Sequence, residues 1–208
     1  MSTSKPQKIP IADGELLYYS EFLDEVSGIS LFEQLQATIN WTTRTLKLYG
    51  KERLMPRLLA WYADPGVHYE YSGGRSPHND WTPALLQLKN RVETVAEEPF
   101  NGALLNLYRD GQDSMGWHSD DEAALGTNPT IASISLGAER IFHLQHKYKA
   151  IQTIKIALQP GSLLLMRGSL QRHWQHQLPK TRRQIGARIN ITYRWVAPEP
   201  VPHTQKHL

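Results

Sequence analysis

The pattern of apolar and polar residues along the chain predicts two helices followed by many short strands. Apolar residues recur every three or four positions in residues 30–40 and 83–95, a spacing typical of amphipathic helices. Ser30 predicts the start of the first helix, because Glu33 three residues later would complete a capping box. The first helix should therefore run from Ser30 to about Asn40.

From residue 41 onward, short alternating or continuous apolar runs indicate strands, and turn sequences such as Asp64-Pro-Gly66 separate them. The predicted strands are residues 41–48, 57–62, 67–71, 103–108, 116–120, 129–136, 140–145, 151–158, 162–166, 173–177 and 188–196. This order predicts an α+β domain, and about eight strands after residue 100 give it the length of a double-sheet jelly roll.

The two ends of the chain differ from its middle. Residues 1–13 are polar with two prolines and residues 197–208 contain three, so we expect a flexible N-terminal arm and a flexible C-terminal tail. Residues 14–196 predict one domain. The absence of a long apolar run and of a signal-peptide core argues against membrane contact, and the absence of cysteine fits a reducing cytoplasm. We expect a monomer in the cytoplasm, associated with the nucleoid if the source is bacterial, with the nucleus as the alternative if it is eukaryotic.

The net charge of +3 is small, but the basic residues are clustered. Residues 41–60 hold five lysines or arginines against one acid, and residues 167–194 hold seven against none. Such clusters suit a polyanionic partner, although a solvated surface would give the same pattern.

The stretch from Met115 to Glu122 places His118 and Asp120 two residues apart. In a strand, these positions share a face, so one imidazole and one carboxylate could bind one metal ion. A second histidine would complete the two-histidine, one-carboxylate triad of non-haem iron(II) oxygenases, which leaves positions open for a cosubstrate and oxygen. The pair alone is weak evidence, because it occurs often by chance.

Four histidines are candidates for the third ligand. His173 and His176 lie three residues apart, so in a strand they face opposite ways and one alone could join the pair. Spacing does not choose between them. His143 and His146 are further candidates, although each is also typical of a surface or packing histidine.

The final predicted strand separates two kinds of side chain. Period two puts Arg188, Asn190, Thr192 and Arg194 on one face and leaves apolar residues on the other. Two guanidinium groups on one face, with no acidic residue beside them, would bind a dicarboxylate through bidentate pairing. Asn106 and Tyr108 share a face of an earlier strand and could add hydrogen bonds.

In combination, these motifs resemble the AlkB family of Fe(II)- and 2-oxoglutarate-dependent nucleic-acid dealkylases, and most of all the human AlkB homologues that repair DNA. The resemblance runs from about Tyr49 to Trp195. The motifs that carry it lie at residues 106–111, 117–122, 131–138, 161–166 and 188–194. The family implies a double-stranded β-helix, a jelly-roll variant, braced by the N-terminal helices.

The resemblance also implies roles for individual residues. Its pattern selects His176 as the third ligand, so that His118, Asp120 and His176 would hold Fe(II) at the catalytic centre. The 2-oxoglutarate positions match a set from two strands: Asn106, Tyr108, Arg188, Asn190, Thr192 and Arg194. Arg188 is the arginine that we expect to pair with the distal carboxylate of 2-oxoglutarate.

Substrate recognition is assigned by the same resemblance to a lid at residues 41–80. The matching positions are Tyr49, Gly50, Lys51, Tyr69 and Tyr71 in the lid, and Asp121 and Glu122 after the metal pair. Tyr71 would stack on a flipped base, Tyr49 would fill the gap in the duplex, and the acids would favour a cationic methylated base. Both Tyr69 and Tyr71 are also compatible with a core strand.

The function implied is oxidative demethylation of 1-methyladenine and 3-methylcytosine in DNA, with RNA as a further substrate. The reaction would use O2 and 2-oxoglutarate and release formaldehyde, succinate and CO2. The first alternative is a 2-oxoglutarate oxygenase acting on protein or a small molecule, and the second is a non-catalytic nucleic-acid-binding module.

Overall fold

The computed structural model describes residues 5–48, 51–71, 74–75 and 77–197, with the backbone alone for residues 46–48, 51–52, 70–71 and 74–75. The helices are α1 (Glu25–Thr38), α2 (Pro83–Ala96) and α3 (Leu170–His173), and a short 3-10 helix spans Ala123–Leu125. The strands before residue 100 are β1 (Gln7–Ile9), β2 (Glu15–Tyr19), β3 (Thr45–Leu48), β4 (Lys51–Leu54), β5 (Leu58–Ala63), β6 (Glu70–Tyr71), β7 (Gly74–Arg75) and β8 (His78–Asn79). Those after it are β9 (Gly102–Tyr108), β10 (Met115–His118), β11 (Ile131–Gly137), β12 (Arg140–His146), β13 (Ile154–Leu158), β14 (Leu163–Arg167), β15 (Trp174–Leu178) and β16 (Arg188–Arg194).

Two main sheets organise the domain. The larger has the strand order β1-β2-β14-β11-β16-β9-β5-β8, the smaller has the order β10-β15-β12-β13, and β3-β4 and β6-β7 form two-stranded sheets. One buried apolar cluster joins the two main sheets, with Leu104 and Leu164 from the larger and Leu144 and Leu158 from the smaller. The predicted α+β class and double-sheet jelly roll are therefore confirmed.

A second apolar cluster joins the other face of the larger sheet to the helices. It contains Leu35 of α1 and Leu85, Leu88 and Val92 of α2. The residues on α2 recur at helical spacing and are almost fully buried, which is how an amphipathic stripe stabilises a surface helix. The predicted brace by N-terminal helices is confirmed.

The start of α1 differs from the prediction. Asp24, not Ser30, is its N-cap, because the Asp24 side chain accepts hydrogen bonds from Ser27 N at 2.9 Å and from Ser27 Oγ at 2.7 Å. A carboxylate at the N-cap satisfies a free backbone N–H and interacts favourably with the helix dipole, so the helix begins at the earlier site. The second helix, α2, starts at Pro83 as predicted, and Thr82 is its N-cap.

The predicted N-terminal arm is partly wrong. Gln7–Ile9 form β1, which pairs with β2 through the backbone although its side chains are mostly exposed. Further along, Trp174 Nε1 donates to Ala12 O at 2.8 Å, and Asp13 Oδ2 accepts a hydrogen bond from His146 Nε2 at 3.1 Å. Backbone pairing and these two contacts fix a segment whose polar composition alone indicated a loose chain.

Several strand bounds also differ from the prediction. The strand predicted at residues 41–48 is regular only from Thr45, and the one at 67–71 is reduced to Glu70–Tyr71. Residues 73–80, where no strand was predicted, contain β7 and β8. Most importantly, the strand predicted at residues 116–120 ends at His118. Among the described residues, no helix is long and apolar enough to cross a membrane.

Candidate active site

A polar pocket lies between the two main sheets. The alternation of β16 creates it, because Ile189, Ile191 and Tyr193 pack toward the helices and the residues between them face the smaller sheet. The pocket is lined by Leu104, Asn106, Tyr108, Met115, His118, Asp120, Ser133, Phe142, Leu158, Met166, His176, Leu178, Arg188, Asn190, Thr192 and Arg194. The predicted separation of the two faces of β16 is therefore confirmed.

Three potential metal ligands meet in this pocket. The ligand atoms of His118, Asp120 and His176 all lie within 4.8 Å of one another. Strand pairing brings the histidines together, because His118 of β10 is opposite His176 of β15 and their ring centroids are 4.2 Å apart. One imidazole from each strand and one carboxylate form the donor set that non-haem iron(II) sites use.

Asp120 reaches the pocket from a loop and not, as predicted, from a strand. The chain leaves β10 after His118, and two hydrogen bonds hold the next residues. Ser119 Oγ donates to Trp174 O at 2.9 Å, and Asp120 N donates to the buried Gln171 Oε1 at 3.0 Å. The carboxylate is thus positioned by contacts with α3 and β15, which the spacing of His118 and Asp120 does not reveal.

Hydrogen bonds leave the correct atoms free for a metal. His118 Nδ1 donates to Gly116 O at 2.8 Å, so the Nε2 lone pair faces Asp120 Oδ1 at 3.9 Å. Asp120 Oδ2 accepts from Arg194 Nη2 at 2.8 Å. Asp120 Oδ1 and His176 Nδ1 are buried without a hydrogen-bond partner in the described part of the chain. Buried polar atoms without partners indicate a ligand, and this donor set fits a divalent metal ion.

The charges of the triad also suit a metal site. Burial, with a contribution from His118, lowers the pKa of His176 to about 3, and burial likewise lowers the pKa of His118. Burial acts to raise the pKa of Asp120, but Arg194 and the two histidines outweigh it and hold that pKa at about 2. At neutral pH the site therefore presents two neutral imidazoles and one carboxylate, the protonation states that bind metal.

The other candidate histidines lie outside the pocket. His173 ends α3, and its Nδ1 donates to Ser169 O at 3.0 Å. His146 is buried against Asp13, and His143 pairs with Lys155 across the smaller sheet. The geometry thus groups His176, and none of these three, with His118 and Asp120.

The residues expected to bind 2-oxoglutarate line the same pocket, but the two arginines have different partners. Arg194 bonds to Asp120, whereas Arg188 Nη2 donates to Ser135 Oγ at 2.9 Å and contacts no carboxylate among the described residues. Burial lowers the pKa of Arg188 to about 10, so it remains a cation at neutral pH. A buried cation without an acid is costly, and an anionic ligand would offset that cost.

Neighbouring polar residues position the other side chains that are expected to bind 2-oxoglutarate. Asn190 Nδ2 donates to Ser133 Oγ at 2.8 Å, and Thr192 Oγ1 donates to Asn190 Oδ1 at 3.0 Å. The buried Arg57 donates from Nε to Asn106 Oδ1 at 2.8 Å. Neither Ser133 nor Arg57 was predicted to belong to the site, and Arg57 was counted only as part of a basic cluster. Alternation of side chains along β11 could have identified Ser133 as a residue that faces the pocket.

The predicted substrate residues with described side chains differ in where they lie. Tyr69 is buried, stacks on Trp61 at a centroid distance of 5.0 Å, and has Arg194 5.5 Å from its ring centroid. Glu122 lies near Tyr69 and Asp120, and burial followed by the Asp120 charge raises its pKa. Asp121 forms an ion pair with Lys147 at 3.0 Å instead of facing the pocket.

The remaining lid residues have no described side chains. Tyr49 and Gly50 lie outside the described residues, and Lys51 and Tyr71 are described by their backbone alone, at the start of β4 and the end of β6. Their roles stay predictions.

Comparison with known families agrees with this geometry. The model of the 2OG-Fe(II) oxygenase superfamily matches residues 15–194, so the chain belongs to that superfamily. The prediction of an Fe(II)- and 2-oxoglutarate-dependent dioxygenase is thereby confirmed at the level of the family, whose reactions use O2.

Its relatives are AlkB homologues, which confirms the resemblance predicted from the motifs. Alpha-ketoglutarate-dependent dioxygenase alkB homolog 3 from Bos taurus is 42% identical over 188 residues, covering 86% of this chain and 65% of that protein. The Homo sapiens homolog 3 is 38% identical over 200 residues, covering 92% and 69%. DNA oxidative demethylase ALKBH2 from Bos taurus is 33% identical over 197 residues, covering 90% and 71%.

The fold is also similar to a solved structure. The structure of OsALKBH1 matches with a TM-score of 0.64 and 14% identity, covering 91% of this chain and 100% of that one. At this identity the likeness supports the fold alone. The chain spans about two thirds of the length of the first homolog 3 relatives, at 65% and 69%.

Proposed function

We propose that this protein removes N-methyl groups oxidatively from 1-methyladenine and 3-methylcytosine in DNA, with RNA as a further substrate, and so repairs alkylation damage. The observation that carries the proposal is the position of Glu122 beside the metal triad. Its carboxyl lies in the electrostatic field of Asp120 and next to Tyr69. Both methylated bases are cations, unlike the normal bases, so a partly buried acid beside the metal would favour them.

The pocket would hold each reactant with different residues. His118, Asp120 and His176 would hold iron, and the Arg188 guanidinium would pair with the distal carboxylate of 2-oxoglutarate through charge-assisted hydrogen bonds. When bound, the iron, cosubstrate and oxygen supply the oxidant that hydroxylates the methyl carbon. The hydroxymethyl group on nitrogen would then leave as formaldehyde and restore the base.

Two protein features would keep the chemistry directed at the base. Arg194 fixes Asp120 Oδ2 and leaves Oδ1 for the metal, so the carboxylate cannot rotate freely. The apolar side chains of Leu104, Phe142 and Leu158 line the pocket and would limit access of water. We further propose that residues 41–80 form the nucleotide-recognition lid around β5 and β8, the two strands of this segment that belong to the larger sheet. Tyr69 of this segment lies against Arg194, which bonds to Asp120.

The test is formaldehyde release from oligonucleotides that contain one 1-methyladenine. Single-stranded DNA, duplex DNA and RNA would be compared with Fe(II), 2-oxoglutarate and ascorbate, with His176→Ala as the control. Release should require both cofactors and disappear in the control. Succinate formation without formaldehyde from any of the three would contradict the proposal and favour an oxygenase acting on protein or a small molecule.

A further inference from the structure

An exposed aromatic residue lies on the turn between β12 and β13. Tyr148 is 75% exposed, which is unusual for a tyrosine whose backbone and ring are both held by neighbours. Its ring contacts those of His173 and His146 at centroid distances of 6.4 Å and 6.2 Å. One side of the ring is therefore supported by the protein while most of its surface meets solvent.

The turn beneath Tyr148 is fixed by a buried histidine. His146 Nδ1 accepts hydrogen bonds from the backbone N–H groups of Tyr148 at 3.1 Å and Lys149 at 3.0 Å. Its Nε2 then donates to Asp13 Oδ2 at 3.1 Å, and Lys147 N donates to His173 O at 2.8 Å. An exposed turn with this many contacts is preorganised, so binding there would cost little conformational entropy.

Basic residues flank Tyr148 and His173 along the chain. Lys147 Nζ forms an ion pair with Asp121 and also donates to Gln171 O at 2.9 Å. Lys149 pairs with Asp13. Arg172 is exposed, and it forms no ion pair with the residues that the structure describes. Arg172 directly precedes His173, whose ring contacts that of Tyr148. An exposed aromatic ring and an unpaired guanidinium on these adjoining segments match the composition of single-strand nucleic-acid surfaces.

The same contacts connect this surface to the active site. Lys147 touches Asp121, which directly follows the metal-binding Asp120, and the Lys147 charge acts on His176. From these links and the spacing of consecutive residues, Tyr148 lies on the order of 15 Å from the triad. This distance corresponds to a few nucleotides along a strand that enters the pocket.

We propose that Tyr148, Arg172 and His173 form a turn platform that binds a nucleotide a few positions away from the methylated base. The base would stack on the Tyr148 ring, and Arg172 would contact a phosphate. This inference rests on the proposed function, because it assumes a nucleic-acid substrate. Stacking and phosphate contacts tolerate any sequence, so the platform would add affinity without base specificity.

The test compares a trinucleotide with a central 1-methyladenine, too short to reach Tyr148, with a single-stranded 15-mer. Binding of the labelled 15-mer is measured by fluorescence anisotropy, and formaldehyde release is measured on both. Tyr148→Ala should weaken 15-mer binding by roughly 5- to 100-fold and reduce the advantage of the 15-mer over the trinucleotide. Tyr148→Phe should retain both, because the ring remains.

Two further variants sharpen the result. Arg172→Ala should reduce the salt dependence of 15-mer binding by about one phosphate contact. Leu86→Ala, at a partly exposed apolar residue on α2, is the matched control and should change nothing. Unchanged 15-mer binding in Tyr148→Ala would overturn the platform. Failure of the wild-type protein to demethylate either oligonucleotide would instead contradict the proposed function.

Discussion

Strand β16 and the loop at residues 118–122 both supply the pocket, yet they are built in opposite ways. On β16, one rule of alternation places four polar side chains in the pocket and three apolar ones in the core. In the loop, Asp120 follows the end of β10, and its position depends on Ser119 and Gln171. Asp120, the proposed metal ligand, is therefore positioned by contacts with α3 and β15, whereas the residues proposed to bind 2-oxoglutarate are positioned by the strand itself.

This difference predicts how each region responds to substitution. A change on β16 should remove one interaction and leave the backbone intact, because the ladder on both sides of β16 holds the strand. A change behind the loop should move a metal ligand without touching it, as loss of an outer hydrogen bond to a metal site does.

The largest effect is expected for Arg188→Ala. The KM for 2-oxoglutarate should rise on the order of 100-fold or more, because a buried charge-assisted pair is lost. The melting temperature should not fall, since the buried cation has no carboxylate partner among the described residues. Succinate release and thermal unfolding measure the two quantities. A large fall in melting temperature with an unchanged KM would show that Arg188 is structural.

A smaller effect is expected for Gln171→Ala. Loss of the hydrogen bond to Asp120 N should weaken Co(II) binding by about 10- to 100-fold. Gln175→Ala is the matched control, because Gln175 lies on β15 and bonds to Gln145 away from the triad. Equal Co(II) affinity in the two variants would mean that the loop does not depend on Gln171.

The acid stability of chelator-treated protein tests the electrostatics of the triad. The pKa of His176 is about 3 in the folded protein and near 6.5 when unfolded, so the unfolded state binds more protons between these values. Stability should therefore fall as the pH decreases from 6.5, by at most about 1.4 kcal/mol per pH unit for this one group. Denaturant unfolding of wild type and His176→Gln between pH 7 and 4 measures the difference. Identical slopes would contradict the low pKa.

The smallest effect concerns a helix cap. Asp24→Ala should destabilise the protein by about 1 kcal/mol, because it removes the cap of α1, whereas Ser30→Ala inside the helix should be nearly neutral. Neither should change the KM for 2-oxoglutarate. Urea unfolding distinguishes them, and a larger loss for Ser30→Ala would restore the start of α1 predicted from the capping-box pattern.

The features that depend on local sequence patterns were predicted correctly. The faces of β16 and the bounds of α2 follow from periodicity, and the motifs identified the family. The path through Asp120 depends on contacts with α3 and β15, which lie far away in the chain. The cap at Asp24 and the pairing of β1 join residues closer in sequence, but they depend on individual hydrogen bonds that periodicity does not encode. The monomeric state and the cytoplasmic location stay predictions.

The most direct test of the account is Co(II) binding to wild type, His176→Ala and His173→Ala by equilibrium dialysis. The two histidines are three residues apart, yet His176 alone of the pair lies with His118 and Asp120. Wild type and His173→Ala should each bind one Co(II) per chain, and His176→Ala should lose this binding. Retained binding in His176→Ala together with loss in His173→Ala would contradict the assignment of the metal centre.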